Sequence, residues 1–124
     1  MQVKIGNTDV TAAVQESTYE VNQESHFESW VNANNVTMHT NPYKKVSGTF
    51  DMVFIPGLSM EYSTFLNLLT ENTVGDVTSI SLSVNNLDGA LMNINAFVTV
   101  KMDPIRDLKN GYYYKRANIK VEEC

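Results

Sequence analysis

Apolar and polar residues alternate with a period of two along most of this chain, which is the pattern of β-strands that bury one face. The clearest run extends from Val46 to Phe54. The same alternation predicts strands over residues 78–85, 92–102 and 112–122, and shorter ones over residues 3–5 and 17–22. Between the strands at 78–85 and 92–102, Asp88-Gly89 predicts a hairpin loop, because both residue types tolerate positive φ.

One segment departs from this alternation and has helical spacing instead. Its apolar residues fall on one side of an α-helix: Leu58, Tyr62, Phe65, Leu66 and Leu69. The spacing predicts a helix over about residues 59-71 that packs on the sheet, with Leu66 at the centre of the buried stripe. Ser59 is the predicted N-cap, and Glu61 would lie where the helix dipole favours negative charge.

The order of these elements predicts a mostly β protein, because one helix is preceded by several strands and followed by three. The expected fold is an antiparallel β-sandwich or small barrel with one packed α-helix, in a single β-rich domain over residues 1-124. Residues 26–45 contain Trp30 and an Asn-rich stretch, which predict a strand, a turn and a long irregular loop. The C-terminal strand is expected to lie last in the sheet, with an open edge.

The charge of the chain narrows the range of partners. Nine basic and fourteen acidic residues give a net charge of -5 and a pI near 4.9, which opposes binding to nucleic acid or to an anionic membrane. No run of about 18 apolar residues predicts a membrane-spanning helix. The N-terminus lacks the pattern of a secretory signal, and Cys124 is the single cysteine, so we expect no disulfide within the chain and an intracellular or virion location.

Catalytic and cofactor motifs are missing from the sequence. His26 and His39 have no cysteine cluster beside them, so we expect no metal site. Neither a serine-nucleophile elbow nor a phosphate-binding glycine loop occurs. Carboxylate pairs such as Glu16 and Glu20 are interpreted as solvated surface charge. The expectation is a protein that is not an enzyme and that binds no cofactor.

Aromatic residues are the remaining candidates for a site. Tyr112 and Tyr114 fall on the otherwise polar face of the C-terminal strand, where exposed rings could stack on sugars or be buried against a partner. Trp30 and Tyr43 flank the Asn-rich stretch. We predict an interface that uses these four residues. The alternative is that the tyrosines begin a strand beneath a covering loop and that Trp30 anchors the core or a loop.

Short motifs spread over most of the chain carry a family resemblance. They are Gly6 with Asp9-Val10-Thr11, Tyr19-Glu20-Val21-Asn22, Trp30 with Ala33-Asn34, His39, the run from Lys45 to Met52, Tyr62-x-x-Phe65-Leu66 and Val84-Asn85-Asn86. In these motifs the chain resembles small proteins encoded in prophages and related mobile elements of Gram-positive bacteria, which are associated with tail or baseplate genes. The resemblance implies a β-sandwich or barrel flanked by one helix, without enzymatic motifs, that forms rings and stacks.

The resulting prediction is a non-enzymatic structural component of a phage or prophage tail or baseplate, either tail-tube-like or an adaptor. Such a protein is assembled in the bacterial cytoplasm and carried in the virion. We expect a homo-oligomer, or docking to other phage tail proteins, through Tyr112, Tyr114 and the loop at residues 32–45.

Two alternatives from other classes remain open. A carbohydrate-binding β-sandwich would use Trp30, Tyr112 and Tyr114 as a stacking platform. An inhibitor of a host protein would present acidic residues to a basic groove; these would be Asp103, Asp107, Glu122 and Glu123.

Overall fold

The computed structural model of the chain describes residues 1–26, 29–31, 33–35, 37–39, 43–55, 57, 59–102, 106–108 and 112–124. For residues 26, 29–30, 37–39, 43, 106–108 and 112–114 it describes the backbone alone.

Strands account for most of the regular structure in these residues. They are β1 (Val3–Ile5), β2 (Thr8–Asp9), β3 (Glu20–His26), β4 (Ser29–Val31), β5 (Thr37–His39), β6 (Tyr43–Phe54), β7 (Thr73–Val74), β8 (Val77–Val84), β9 (Ala90–Met102), β10 (Arg106–Leu108) and β11 (Tyr112–Glu123). One helix, α1 (Tyr62–Glu71), lies between β6 and β7, and short 3-10 turns cover Thr11–Ala13, Glu16–Thr18 and Asn85–Leu87. The prediction of a mostly β fold with one helix is confirmed.

Nine of the described strands form one sheet in which every pair is antiparallel. Its order is β2–β1–β8–β9–β11–β6–β3, while β7 pairs with β8 and β10 pairs with β11. Val121 of β11 illustrates the register, because it pairs with Val98 of β9 on one side and with Gly48 of β6 on the other. Strands β4 and β5 form a separate two-stranded sheet.

The sheet curls until β3 approaches the end of β8, but it does not close into a barrel. Side chains bridge this seam. The Asn86 side chain accepts the backbone N–H of Gln23 at 2.8 Å and donates to its carbonyl at 2.6 Å. The Tyr19 hydroxyl donates to the carbonyl of Ser83 at 2.5 Å, and burial raises the pKa of Tyr19 to about 12. The fold is therefore consistent with the sandwich alternative and not with a closed barrel.

The apolar faces of the strands meet in one core, as their alternation predicts. On β6, Phe50, Met52 and Phe54 are 2% exposed or less. Other strands of the sheet supply further buried apolar residues of the same core: Val3, Ile5, Val21, Ile80, Leu82, Val84, Ile94, Ala96, Ala117, Ile119 and Val121. Burial of this apolar surface is the main favourable contribution to folding.

Helix α1 begins later than predicted. It starts at Tyr62 and not near residue 59, because Ser59 is engaged elsewhere. The Ser59 hydroxyl accepts the N–H of Ile55 and donates to the carbonyl of Val53, both at 2.9 Å. This side chain closes the turn after β6 and does not cap the helix. Glu61 occupies the N-cap position without a side-chain capping bond.

The buried face of α1 also differs from the prediction. Phe65 is 1% exposed and its ring centroid lies 5.3 Å from that of Phe54, whereas Leu66 is 38% exposed. Successive helix residues are about 100° apart around the helix axis. Because Leu68 is partly buried, the centre of the buried face lies at Phe65 and not at Leu66. The prediction of Leu66 at the centre of the stripe is wrong. Leu58 lies outside the described residues.

The C-terminal strand lies inside the sheet, so the prediction of an open edge on this strand is wrong. β11 pairs with β6 over residues 115–122 and with β9 over residues 117–123. Strands β6 and β9 flank β11 on its two sides, so the backbone N–H and C=O groups of β11 are paired in these two ladders. The strands at the ends of the sheet order are β2 and β3.

The interpretation of residues 17–45 needs two further corrections. The strand expected over 17–22 begins at Glu20, after a 3-10 turn at Glu16–Thr18. In the segment expected to be a long irregular loop, β5 pairs with β4, and residues 43–45 belong to β6. The described part of this segment is therefore largely strand.

The hairpin loop between β8 and β9 has the predicted geometry. Gly89 has a φ of 75° and Asp88 a φ of 58°. Both lie in the left-handed region, which glycine adopts freely and aspartate tolerates. The 3-10 turn at Asn85–Leu87 precedes them and places Asn86 against β3.

Candidate assembly interface

Strands β3 and β6 stay paired beyond the end of β11. Residues 24–26 of β3 pair with residues 43–45 of β6, whereas the ladder between β11 and β6 stops at Glu122 and Ser47. The β4–β5 hairpin follows β3 in the sequence. These paired residues together with the β4–β5 hairpin are named the β3–β6 arm.

A second pair of strands extends from the other end of β11. Leu108 pairs with Tyr112 and Arg106 with Tyr114. The ladders of β11 with its larger neighbours begin only later, at Lys115 with β6 and at Ala117 with β9. Residues 106–108 with residues 112–114 are named the β10–β11 arm.

The two arms lie at opposite ends of β11. Lys115 marks the end from which the β10–β11 arm extends, and Glu122 marks the end beyond which the β3–β6 arm continues. At a rise of roughly 3.3 Å per residue, these two positions are about 23 Å apart. Each arm continues a strand of the central ladder, so the sheet sets its direction.

A groove lies beside the β3–β6 arm, where β11 ends between β6 and β9. At this point Glu123 accepts the backbone N–H of Val46 through its carboxylate at 2.8 Å, so a side chain replaces the next bond of the ladder. The groove has a volume of ≈ 430 Å³ and is lined by Glu24, residues 45–47, Phe97 and residues 122–123. It is named the Phe97 groove. Three glutamates and one lysine make it acidic.

Phe97 is the aromatic residue of this groove and is 46% exposed. It pairs in register with Glu122 of β11 and also borders a second depression of ≈ 380 Å³. Along β9 it lies on the polar face, between the exposed residues Asn95 and Thr99. Phe97 is not among the residues predicted from the sequence. An aromatic residue in the polar register of a strand is the signal that could have identified it.

A carboxylate at the centre of β6 joins this strand to β11. Asp51 is 8% exposed and accepts hydrogen bonds from Arg116 at 2.5 Å and Asn118 at 2.9 Å. Burial opposes its ionisation, but the hydrogen bonds from Asn118 and Arg116 and the charge of Arg116 outweigh burial and lower the pKa of Asp51. The contacts lie between the two arms and hold the ladder that carries both of them.

The four aromatic residues predicted at an interface are divided between the two arms. Trp30 lies in β4 and Tyr43 begins β6, in the β3–β6 arm. Tyr112 and Tyr114 lie in the β10–β11 arm. Their side chains lie outside the described residues, so their role as contact residues stays a prediction.

The acidic residues of the inhibitor alternative are divided in the same way. Glu122 and Glu123 line the Phe97 groove. Asp107 belongs to β10, at the opposite end of β11, and Asp103 lies outside the described residues. The backbone therefore places Asp107 away from the two glutamates.

Within the described ranges, no group of three or more histidine, cysteine, aspartate or glutamate residues could hold a metal ion. The side chains of His26 and His39 are outside these ranges. In the same part of the chain no helix has the length and apolarity of a membrane span.

No protein-family model, curated protein or solved structure matches the chain.

Proposed function

We propose that this protein is a non-enzymatic structural subunit of a phage or prophage tail or baseplate. It is tail-tube-like or an adaptor, and it acts by self-assembly or by docking to other tail proteins. Assembly takes place in the bacterial cytoplasm and the product is carried in the virion.

The observation that carries this proposal is the placement of the two arms at opposite ends of one central strand. A subunit that repeats in a ring or stack needs two different surfaces, because each copy contacts one neighbour in front and another behind. The β3–β6 arm and the β10–β11 arm are two such surfaces.

The connection between the arms also suits a structural role. Residues 115–122 of β11 are paired with β6, and most of them are paired with β9 as well. The contact of Asp51 with Arg116 and Asn118 adds side-chain bonds across the same ladder. An assembly needs a fixed spacing between its contact surfaces, and a fully paired strand provides one.

Light scattering and electron microscopy of the purified chain test the proposal, alone and mixed with tail proteins encoded near it. We expect rings, stacks or a defined complex with a neighbouring tail protein. A chain that stays monomeric at high concentration and binds none of these proteins would contradict the proposal.

A paired substitution directs the test to one arm. We expect Tyr112→Ser with Tyr114→Ser to weaken association and leave the fold intact, because these positions pair with β10 alone, before the ladders with β6 and β9 begin. Leu66→Ser is the matched control, since Leu66 is an exposed apolar residue on the helix. Association that responds to Leu66→Ser but not to the tyrosine pair would count against the arm as an interface.

A further inference from the structure

We propose that the Phe97 groove binds the opposite, basic end of a second copy of this chain. The contact is head-to-tail and combines burial of Phe97 with ion pairs to the glutamates of the groove. This inference rests on the proposed function and names the partner surface for self-assembly.

Phe97 is the only exposed aromatic side chain among those that the structure describes. The ring is 46% exposed on a strand whose inward residues, such as Ala96, are fully buried. An exposed aromatic residue in a concave, polar-rimmed site is typical of a protein interface, where aromatic anchors are enriched. The groove of ≈ 430 Å³ gives a partner side chain room to pack beside the ring.

The two ends of the molecule have complementary charge. The groove holds three glutamates and one lysine. The other end is basic, because four of the nine cationic residues of the chain lie between residues 101 and 115, against two aspartates. Arg116, which follows them, is paired with Asp51. Among the described side chains there, Lys101 and Lys115 are exposed.

The two ends are too far apart to neutralise each other within one chain. Lys115 and Glu122 are about 23 Å apart along β11. Lys101 pairs with Asn118, about 13 Å along β11 from Glu122. Both distances exceed the Debye length at physiological salt, which is about 8 Å. A second copy can bring its basic end to the groove directly. Such a contact leaves one acidic and one basic end free in every pair, so it extends to a ring or a stack.

A charge-exchange experiment tests the orientation. Glu122→Lys makes the groove more basic, and Lys101→Glu makes the opposite end more acidic; both residues are exposed. We expect each variant alone to associate about tenfold more weakly or worse, because each reversal removes the excess charge of one of the two surfaces that attract each other. An equimolar mixture should recover association, since the basic end of Glu122→Lys meets the acidic groove of Lys101→Glu.

The controls keep the net charge change and move it away from both ends. Glu16→Lys changes the charge as Glu122→Lys does, at an exposed 3-10 turn. Lys4→Glu changes it as Lys101→Glu does, on β1, which β8 and β9 separate from β11 in the sheet order. Neither control should weaken association. Circular dichroism and thermal unfolding test whether each variant folds. If a charge reversal prevents folding, Glu122→Gln or Lys101→Gln replaces it, because each removes the charge without reversing it.

Association is measured by sedimentation velocity at about 0.1 M and about 1 M salt. The Debye length falls from about 10 Å to about 3 Å between these two salt concentrations, so ion pairs contribute less at the higher one. Association that either single reversal leaves unchanged, or that the mixture fails to recover, would overturn this inference and leave self-assembly standing. A wild-type chain that does not associate at low salt would overturn the inference and remove self-assembly from the proposed function. The proposed function is then limited to docking to other tail proteins, which the mixing experiment with those proteins tests separately.

Discussion

Replacing Phe65 by alanine is the sharpest test of how α1 packs on the sheet. The Phe65 side chain is 1% exposed, and its ring lies 5.3 Å from the ring of Phe54, at an interplanar angle of 38°. Phe65→Ala removes the ring and leaves a cavity between the helix and β6. The expected loss of folding free energy is about 3–5 kcal/mol, the usual cost of such a truncation in a core.

Leu66 provides a control one position away. Its side chain is 38% exposed, so Leu66→Ala leaves little cavity and places the residue of best helix propensity at an exposed helix position. We expect a cost of about 1 kcal/mol or less. Phe65→Leu should fall between the two variants, because leucine keeps much of the apolar volume.

Thermal and urea unfolding followed by circular dichroism measure these differences. For a chain of 124 residues, each kcal/mol corresponds to roughly 4 °C. Phe65→Ala should therefore lower the melting temperature by about 10–20 °C and Leu66→Ala by about 4 °C or less. Equal losses in the two alanine variants, or a larger loss for Leu66→Ala, would refute the assignment of the buried face.

Two further predictions concern local geometry and ionisation. Gly89→Val should destabilise the fold by about 1 kcal/mol or more, because Gly89 has a φ of 75°. Asp88→Asn should change the stability very little, since asparagine also tolerates the left-handed region. Equal losses of stability in urea unfolding would contradict this prediction. Asp51 has a lowered pKa in the folded state, so its ionised form stabilises the fold fully above the ordinary carboxyl pKa of 3.8, and this contribution is lost as the pH falls through the lowered value. Unfolding measured against pH should show an acid-side loss of stability that is smaller in Asp51→Asn, and identical pH profiles would exclude the contribution.

The strands could be predicted from sequence because alternation is a local property. Phe50 and Met52 on β6, and Ile119 on β11, are buried on the faces that the alternation indicates. The order of the strands could not be predicted in the same way. β11 is the last described strand in the sequence and yet lies inside the sheet, because pairing between distant segments depends on the complementarity of whole faces.

The errors in the helix and the groove have specific causes. Helical periodicity identifies an apolar face but does not fix which residue lies at its centre. Leu68, on the side of Phe65 opposite to Leu66, is partly buried, so the centre of the buried face is Phe65. Ser59 has the side chain of a good N-cap, but its hydrogen bonds to residues 53 and 55 take precedence. Phe97 was visible as a break in the polar register of β9, whereas its neighbour Glu122 comes from β11, and only the fold brings the two strands together.

Folding and the proposed assembly should be separable in this protein because they would use different parts of β11. Its middle residues, such as Ile119 and Val121, are buried and paired on both sides, so changes there act on stability. Its ends carry the β10–β11 arm and the Phe97 groove, where backbone pairing to one of the neighbouring strands stops. Charge reversal at Glu122, at one end of β11, removes no core contact, so a loss of association there with unchanged thermal unfolding would locate the interface at that end of the strand. The same strand then fixes the distance between successive contacts, since neither end can move along the ladder without breaking the paired middle.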